Sequence, residues 1–169
     1  METNFVESKS IIAAHKRLQR FRKETDLISV RKLIHKTIES CYTAYYEDRP
    51  IHFIKEFYNN ENITEHADHG YMLVYFVDGK LVGTGALIKH RINSLFIDPT
   101  IQGRGIGKRI MYSLLCEAEK QNIKVLELQC PPGAMTFFQK LGFQVISEEV
   151  VWVESIYPMT MYSMEKRLP

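Results

Sequence analysis

From Asn93 to Gln121 the chain reads N-S-L-F-I-D-P-T-I-Q-G-R-G-I-G-K-R-I-M-Y-S-L-L-C-E-A-E-K-Q, a strand, a glycine-rich turn and a helix in that order. No other stretch constrains the fold as much. Ser94 to Ile97 is a short apolar run stopped by Asp98 and Pro99, the latter without an amide hydrogen for a ladder. Gly103, Gly105 and Gly107 then alternate with Arg104, Ile106 and Lys108, so the backbone can curl tightly and expose its amide hydrogens. Ile106, Ile110, Met111, Leu114, Leu115 and Ala118 follow at helical spacing, which predicts a helix beginning inside the turn. Its free amides and positive dipole end point into the turn, and Arg104, Lys108 and Arg109 add cationic charge. The expected guest is a phosphate or pyrophosphate.

Spacing sets this turn apart from the two standard nucleotide loops. A G-x-G-x-x-G fingerprint from Gly103 needs glycine where Lys108 stands. A G-x-x-x-x-G-K-[ST] loop ending at Gly107 needs glycine at Gln102 and Ser or Thr at Arg109. The pattern present is Q-x-x-G-x-G, carried by Gln102, Gly103, Arg104, Gly105, Ile106 and Gly107 after a strand ending in Asp98-Pro99.

Around this unit the chain divides as follows. Residues 1–17 form an N-terminal extension, with Ile11-Ile12-Ala13-Ala14 in either a short helix or a loosely held segment, and residues 18–169 a single domain. Leu18 to Lys23 reads as a strand, and Thr25 or Asp26 caps a helix running to about Tyr42. Pro50 opens a second helix through Phe57, ended by Asn59-Asn60-Glu61-Asn62. His66-Ala67-Asp68-His69 reads as a solvated loop rather than a metal site. Tyr71 to Val77, a two-residue turn at Asp78-Gly79, and Leu81 to Ile88 form a hairpin, and Arg91 to Ile97 is a third antiparallel strand. After the long helix come a strand at Val125 to Gln129, a helix at Ala134 to Leu141 ended by Gly142, and closing strands at Phe143 to Val153 and Thr160 to Leu168. The fold class is therefore α/β of the α+β kind. It has a mixed, mostly antiparallel sheet of six to seven strands flanked by helices, in the order strand, two helices, three strands, helix, strand, helix, two strands.

Composition narrows the function. Lys plus Arg number 22 against 20 for Asp plus Glu, a net charge of +2 that gives no support for a nucleic-acid partner. No apolar run approaches the ~20 residues of a membrane span, and the first residues lack the pattern of a signal peptide, so no membrane partner and a cytoplasmic location are expected. Cys41, Cys116 and Cys130 have neither disulfide nor zinc spacing, and no metal is expected.

The Q-x-x-G-x-G turn after its strand, the element order, and Ala134-Met135-Thr136-Phe137-Phe138-Gln139-Lys140-Leu141-Gly142-Phe143 together resemble the GCN5-related N-acetyltransferase (GNAT) family, whose corresponding helix reads A-x-x-F-Y-x-x-x-G-F. The resemblance runs from about Leu18 to Leu168. It implies acetyl-coenzyme A as co-substrate, with its pyrophosphate on Gln102, Gly103, Arg104, Gly105, Ile106, Gly107 and Lys108 and its pantetheine arm along Leu95, Phe96 and Ile97, near Phe138. It further implies direct acetyl transfer to an amine on a small molecule or peptide, by a monomer or homodimer. The family's acceptor site falls on the loop between the first two helices, where Tyr42, Tyr45, Tyr46, Glu47 and Asp48 could hold a cationic amine.

The sequence departs from the family where chemistry is assigned. Phe138 stands where the pattern has a proton-donating tyrosine, and Pro131 where asparagine is frequent. No catalytic residue carries over. Tyr157, Tyr162 and Cys130 are candidates for the vacant role beside packing readings of each, and no carboxylate within Leu81 to Ile97 offers a base. Binding of coenzyme A or its acyl forms without turnover, or of another phosphorylated ligand, remain the alternative functions.

Overall fold

The computed structural model describes residues 14–169. The uncertain segment around Ile11 to Ala14 lies almost wholly outside them. Strand β1 is Lys16–Arg20, and helices α1 (Lys23–Cys41), α2 (Asp48–Phe57) and α3 (Asn60–Asp68) follow. Strands β2 (Tyr71–Val77), β3 (Lys80–Ile88) and β4 (Arg91–Ile97) lead through the glycine turn into α4 (Ile106–Lys120). Then come β5 (Val125–Cys130), α5 (Met135–Gln139), β6 (Gln144–Val153) and β7 (Tyr157–Arg167). One seven-stranded sheet runs β1-β2-β3-β4-β5-β7-β6. Every neighbouring pair is antiparallel except β4 and β5. The mixed, mostly antiparallel sheet and the order of elements agree with the sequence reading, with one helix added.

That added helix, α3, begins where the sequence marks an end. Asn59 is its N-cap, its side chain accepting from the Asn62 amide at 2.9 Å. A run of asparagines both stops one helix and caps the next, and α3 buries only Ile63 of its apolar residues, so no stripe betrays it. The segment His66-Ala67-Asp68-His69, expected as loop, is its last turn and cap. The first strand lies earlier than expected, because the Arg22 amide is already bonded to the Asp26 carboxylate (2.8 Å) at the start of α1. Asp26 therefore reaches back from inside the helix instead of standing at its N-cap. α5 is shorter than Ala134 to Leu141, since 132–134 form a 3-10 turn. β7 starts before Thr160: Glu154 and Ser155 take positive φ in a short turn, and Pro158 is tolerated because β5 pairs with β7 only as far as Tyr162.

Helices α4 and α5 cover one face of the sheet and α1, α2 and α3 the other. The apolar stripe of α4 is as predicted, with Ile110, Met111, Leu114 and Ala118 fully buried. Gly83 and Gly85 let it approach β3 closely, since a β-carbon on either would meet Ile110 at 2.9 and 2.7 Å. No helix among the described residues is long and apolar enough to cross a membrane.

Two irregularities shape the site. The β3 to β4 register pairs Ala86 with Asn93 but Thr84 with Phe96, so Ser94 and Leu95 together oppose Gly85 in a bulge, with Ser94 at φ 53°. The extra residue exchanges the faces of β4: Ile92 packs with the α4 cluster, whereas beyond the bulge Leu95 and Ile97 do so and Phe96 joins the α1 cluster. Next to it, β4 and β5 pair at a single position, Arg91 with Glu127, and then diverge.

Candidate active site

The divergence of β4 and β5 opens a cleft of about 580 Å³. Its floor is the glycine turn. Gly103 and Gly105 sit at φ 76° and 79°, the left-handed region that glycine alone enters freely, and no atom stands within 4 Å of where a β-carbon on either would be. The first backbone bond into α4 runs from the Arg109 amide to the Gly105 carbonyl at 3.1 Å, so the amides of Ile106, Gly107 and Lys108 precede any intrahelical partner. Gly107 is glycine for another reason. A β-carbon there would lie 3.2 Å from Cζ of Phe137, so this position is set by packing.

Leu95, Phe96 and Ile97 form one wall. The Ile97 carbonyl is engaged, since Gln102 Nε2 donates to it at 3.1 Å and Thr37 Oγ1 lies at 3.2 Å while donating to Leu33 O at 2.8 Å. Gln102 Nε2 also lies 3.6 Å from Cys41 Sγ. Asp98 anchors the turn from beneath: Lys36 Nζ donates to its oxygens at 2.9 and 3.0 Å, and the Thr100 amide and hydroxyl donate at 3.0 and 2.8 Å. Burial acts to raise the Asp98 pKa, but the bonds from Lys36 and Thr100 outweigh it and hold the carboxyl at about 2.

The facing wall comes from the α1–α2 loop and the segment after β5. Tyr42, Tyr45, Pro131, Gly133, Ala134, Phe137 and Phe138 line it. Burial keeps the Tyr42 hydroxyl well above its ordinary pKa, and therefore protonated. Phe138 is 6% exposed and packs edge-on against Phe137 and Phe143, at centroid distances of 5.1 and 5.9 Å.

The structure thus gathers Leu95, Phe96, Ile97, Gln102, Gly103, Gly105, Ile106, Gly107, Lys108, Phe138, Tyr42 and Tyr45 around one cavity. It leaves out Arg104, which is exposed beside the turn. Tyr46 is also outside: its hydroxyl donates to the Thr160 carbonyl at 2.6 Å and ties the loop to β7. None of the three candidates for a proton donor is among the residues that line the cavity. Cys130 faces the core, 3.7 Å from Met164 Sδ, with its thiol pushed up to about 11 by burial. Tyr162 is raised by Glu148, its cross-strand partner on β6, and Tyr157 opens β7 opposite Val153. Glu47 and Asp48 are exposed at the start of α2, and among the described residues no carboxylate lines the cavity. Thr37, Cys41, Gly133 and Phe137 were not legible as lining residues, because each belongs to an element whose packing partner lies far away in sequence.

Among the described residues no group of three His, Cys, Asp or Glu side chains is placed to hold a metal. A sequence profile of the acetyltransferase (GNAT) domain matches residues 18–165. Over 70 residues the chain is 33% identical to an uncharacterized N-acetyltransferase of Methanocaldococcus jannaschii, covering 38% of this chain and 30% of that protein. Over 47 residues it is 36% identical to one from Porphyra purpurea, covering 28% and 27%. The chain thus matches less than a third of the length of these relatives. A GCN5-related N-acetyltransferase structure from Rhodopseudomonas palustris superposes with a TM-score of 0.82 at 19% identity, over 90% of this chain and 95% of that one. The PaiA N-acetyltransferase from Thermoplasma acidophilum, solved with coenzyme A, superposes at 0.74 and 20% identity, over 91% and 99%. At such identities the likeness is one of fold.

Proposed function

We propose that this chain, which belongs to the GNAT acetyltransferase family, is an acetyl-coenzyme A-dependent N-acetyltransferase acting on a small-molecule or peptide amine. The observation that carries the reading is the pairing of the β4/β5 opening with an anion-ready turn that lines it, two left-handed glycines preceding the unpaired amides of α4. The coenzyme A bound to the PaiA structure supports the choice of ligand. Acetyl-coenzyme A supplies an acyl group on a thiol leaving group, whose ordinary pKa of about 8.5 makes assistance by an acid helpful rather than indispensable.

In this reading the amides of Ile106, Gly107 and Lys108 and the charge of Lys108 receive the pyrophosphate, with Arg104 as an outlying cation screened by salt. Leu95 to Ile97 and the aromatic wall exclude water and orient the arm and the acceptor. Orientation alone contributes up to ~7–11 kcal/mol in favourable cases, enough for a site without a strong acid to work. The acceptor enters between Tyr42 and Tyr45, whose ring faces would attract the ammonium form, which must lose its proton before the nitrogen attacks the thioester. The unpaired cysteines fit a reducing, cytoplasmic setting.

Phe138 favours a second reading, a sensor that binds acyl-coenzyme A without turnover. A thiol-release assay over amines that include protein amino termini and lysine peptides, run beside calorimetry with acetyl-coenzyme A, coenzyme A and ATP, separates the two. Binding of both coenzyme A forms with thiol release establishes the enzyme. Binding without release from any amine establishes the sensor, and a preference for ATP removes both.

A further inference from the structure

Behind the bulge of β4, on the face covered by α1 and α3, polar groups from separate elements converge on one residue. Ser94 takes the left-handed conformation at φ 53° and is 4% exposed. A serine holds that conformation inside a strand only when its surroundings over-determine it. Its hydroxyl lies 3.0 Å from Nδ1 of His66 on α3. Tyr58, the residue that ends α2, brings its phenol near Ser94: burial pushes this hydroxyl up to about 12, and the nearby Ser94 hydroxyl and backbone amide limit the rise.

The partners are themselves fixed. His35 Nε2 on α1 lies 2.9 Å from the Tyr58 carbonyl, and the Tyr58 ring packs edge-on against Phe96 at 5.1 Å and His66 at 6.3 Å. Burial holds His66 below its ordinary pKa, against the opposing effect of Glu65, so the ring is neutral and can both donate and accept. The segment after Ser94 is the cleft wall of Leu95, Phe96 and Ile97, which diverges from β5.

We infer that His66 and Tyr58 are positioning residues: with Ser94 they form a polar lock that holds the β4 bulge, and through it the edge of residues 95–97, in the shape that receives a ligand. The lock acts from the side of the sheet away from α4, without touching the ligand. The inference deepens the reading of the cleft as a coenzyme A site, and its test lets the two fail separately.

His66→Phe keeps an aromatic ring but removes the nitrogen, whereas His66→Gln keeps a polar group within reach. Amide exchange of the free protein should quicken on the order of tenfold at residues 94–97 in His66→Phe, leave the β1–β2 ladder unchanged, and return toward wild type in His66→Gln. Coenzyme A affinity by calorimetry should fall about tenfold and recover in the same order. Unchanged exchange at residues 94–97 in a folded His66→Phe protein overturns the lock. A uniform rise across the sheet overturns it too, since it marks only lost stability. If His66→Phe does not fold, Tyr58→Phe, which removes one oxygen, decides by the same readout. A wild-type protein with no affinity for coenzyme A sinks the reading of the cleft, while the exchange comparison still judges the lock.

Discussion

The ring of Tyr45 occupies the space that a β-carbon on Gly133 would enter, 2.6 Å from Cε2 and 2.8 Å from the phenol oxygen. This contact joins the α1–α2 loop to the segment after β5, the two parts of the wall that faces Leu95 to Ile97. Gly133→Ala must therefore push Tyr45 aside. Since Tyr45 is 49% exposed, the ring can swing outward and the expected stability loss is under about 1 kcal/mol. The expected kinetic outcome is a raised acceptor KM with acetyl-coenzyme A affinity retained, measured by steady-state assay and calorimetry. A loss confined to coenzyme A binding would place Tyr45 at the wrong end of the cleft.

Proton delivery should come from the α1–α2 loop if it comes from a side chain at all. Phe138 has no proton to give, Tyr157 and Tyr162 stand outside the cavity, and the Thr37 hydroxyl already donates to Leu33. Tyr42 and Tyr45 are the cavity's phenols. General acid catalysis contributes ~10²- to 10⁴-fold, so Tyr42→Phe or Tyr45→Phe should lower kcat by about 10²-fold with coenzyme A affinity unchanged. Tyr157→Phe, Tyr162→Phe and Phe138→Leu should retain most of the turnover once stability is allowed for. Unchanged rates in both loop variants would leave the proton to water.

Gly105→Val should separate folding from binding. Its surroundings are open, so the penalty is backbone strain at φ 79°, about 1–2 kcal/mol, whereas a side chain there would project into the space assigned to the pyrophosphate. Calorimetry should show coenzyme A affinity falling by more than urea unfolding shows stability falling. An unchanged affinity in a folded Gly105→Val protein removes the phosphate assignment. Gly107→Ala should differ in kind, destabilising through contact with Phe137 at 3.2 Å.

Asp98 predicts an acid dependence. Its pKa of about 2 in the folded chain lies below the unfolded value of about 3.9, so its stabilisation is present above pH ~4 and is lost as pH falls toward 2. The linkage is worth about 2 kcal/mol at neutral pH. Urea unfolding should show Asp98→Asn less stable than wild type at pH 7 and close to it near pH 2. Parallel curves for the two proteins down to pH 2 would assign the acid sensitivity to other carboxylates.

Elements whose physical signals are local can be read directly from the residues. The α4 stripe, the Asp78-Gly79 hairpin and the glycine turn follow from periodicity and backbone chemistry within a few residues, and they suffice to place the turn at the head of a helix. Helix α3 escaped because its asparagines are equally good at ending one helix and beginning another, and only packing around Ile63 chooses. The remaining features depend on contacts between elements far apart in the chain. The bulge at Ser94 is not encoded in the continuous apolar run Leu95-Phe96-Ile97, because the exchange of faces at Leu95 becomes apparent only against β3. Tyr45 and Tyr46 are neighbours of one type in one loop, yet one ring turns to Gly133 and the other to Thr160. That difference depends on partners more than eighty residues away, which no local pattern encodes.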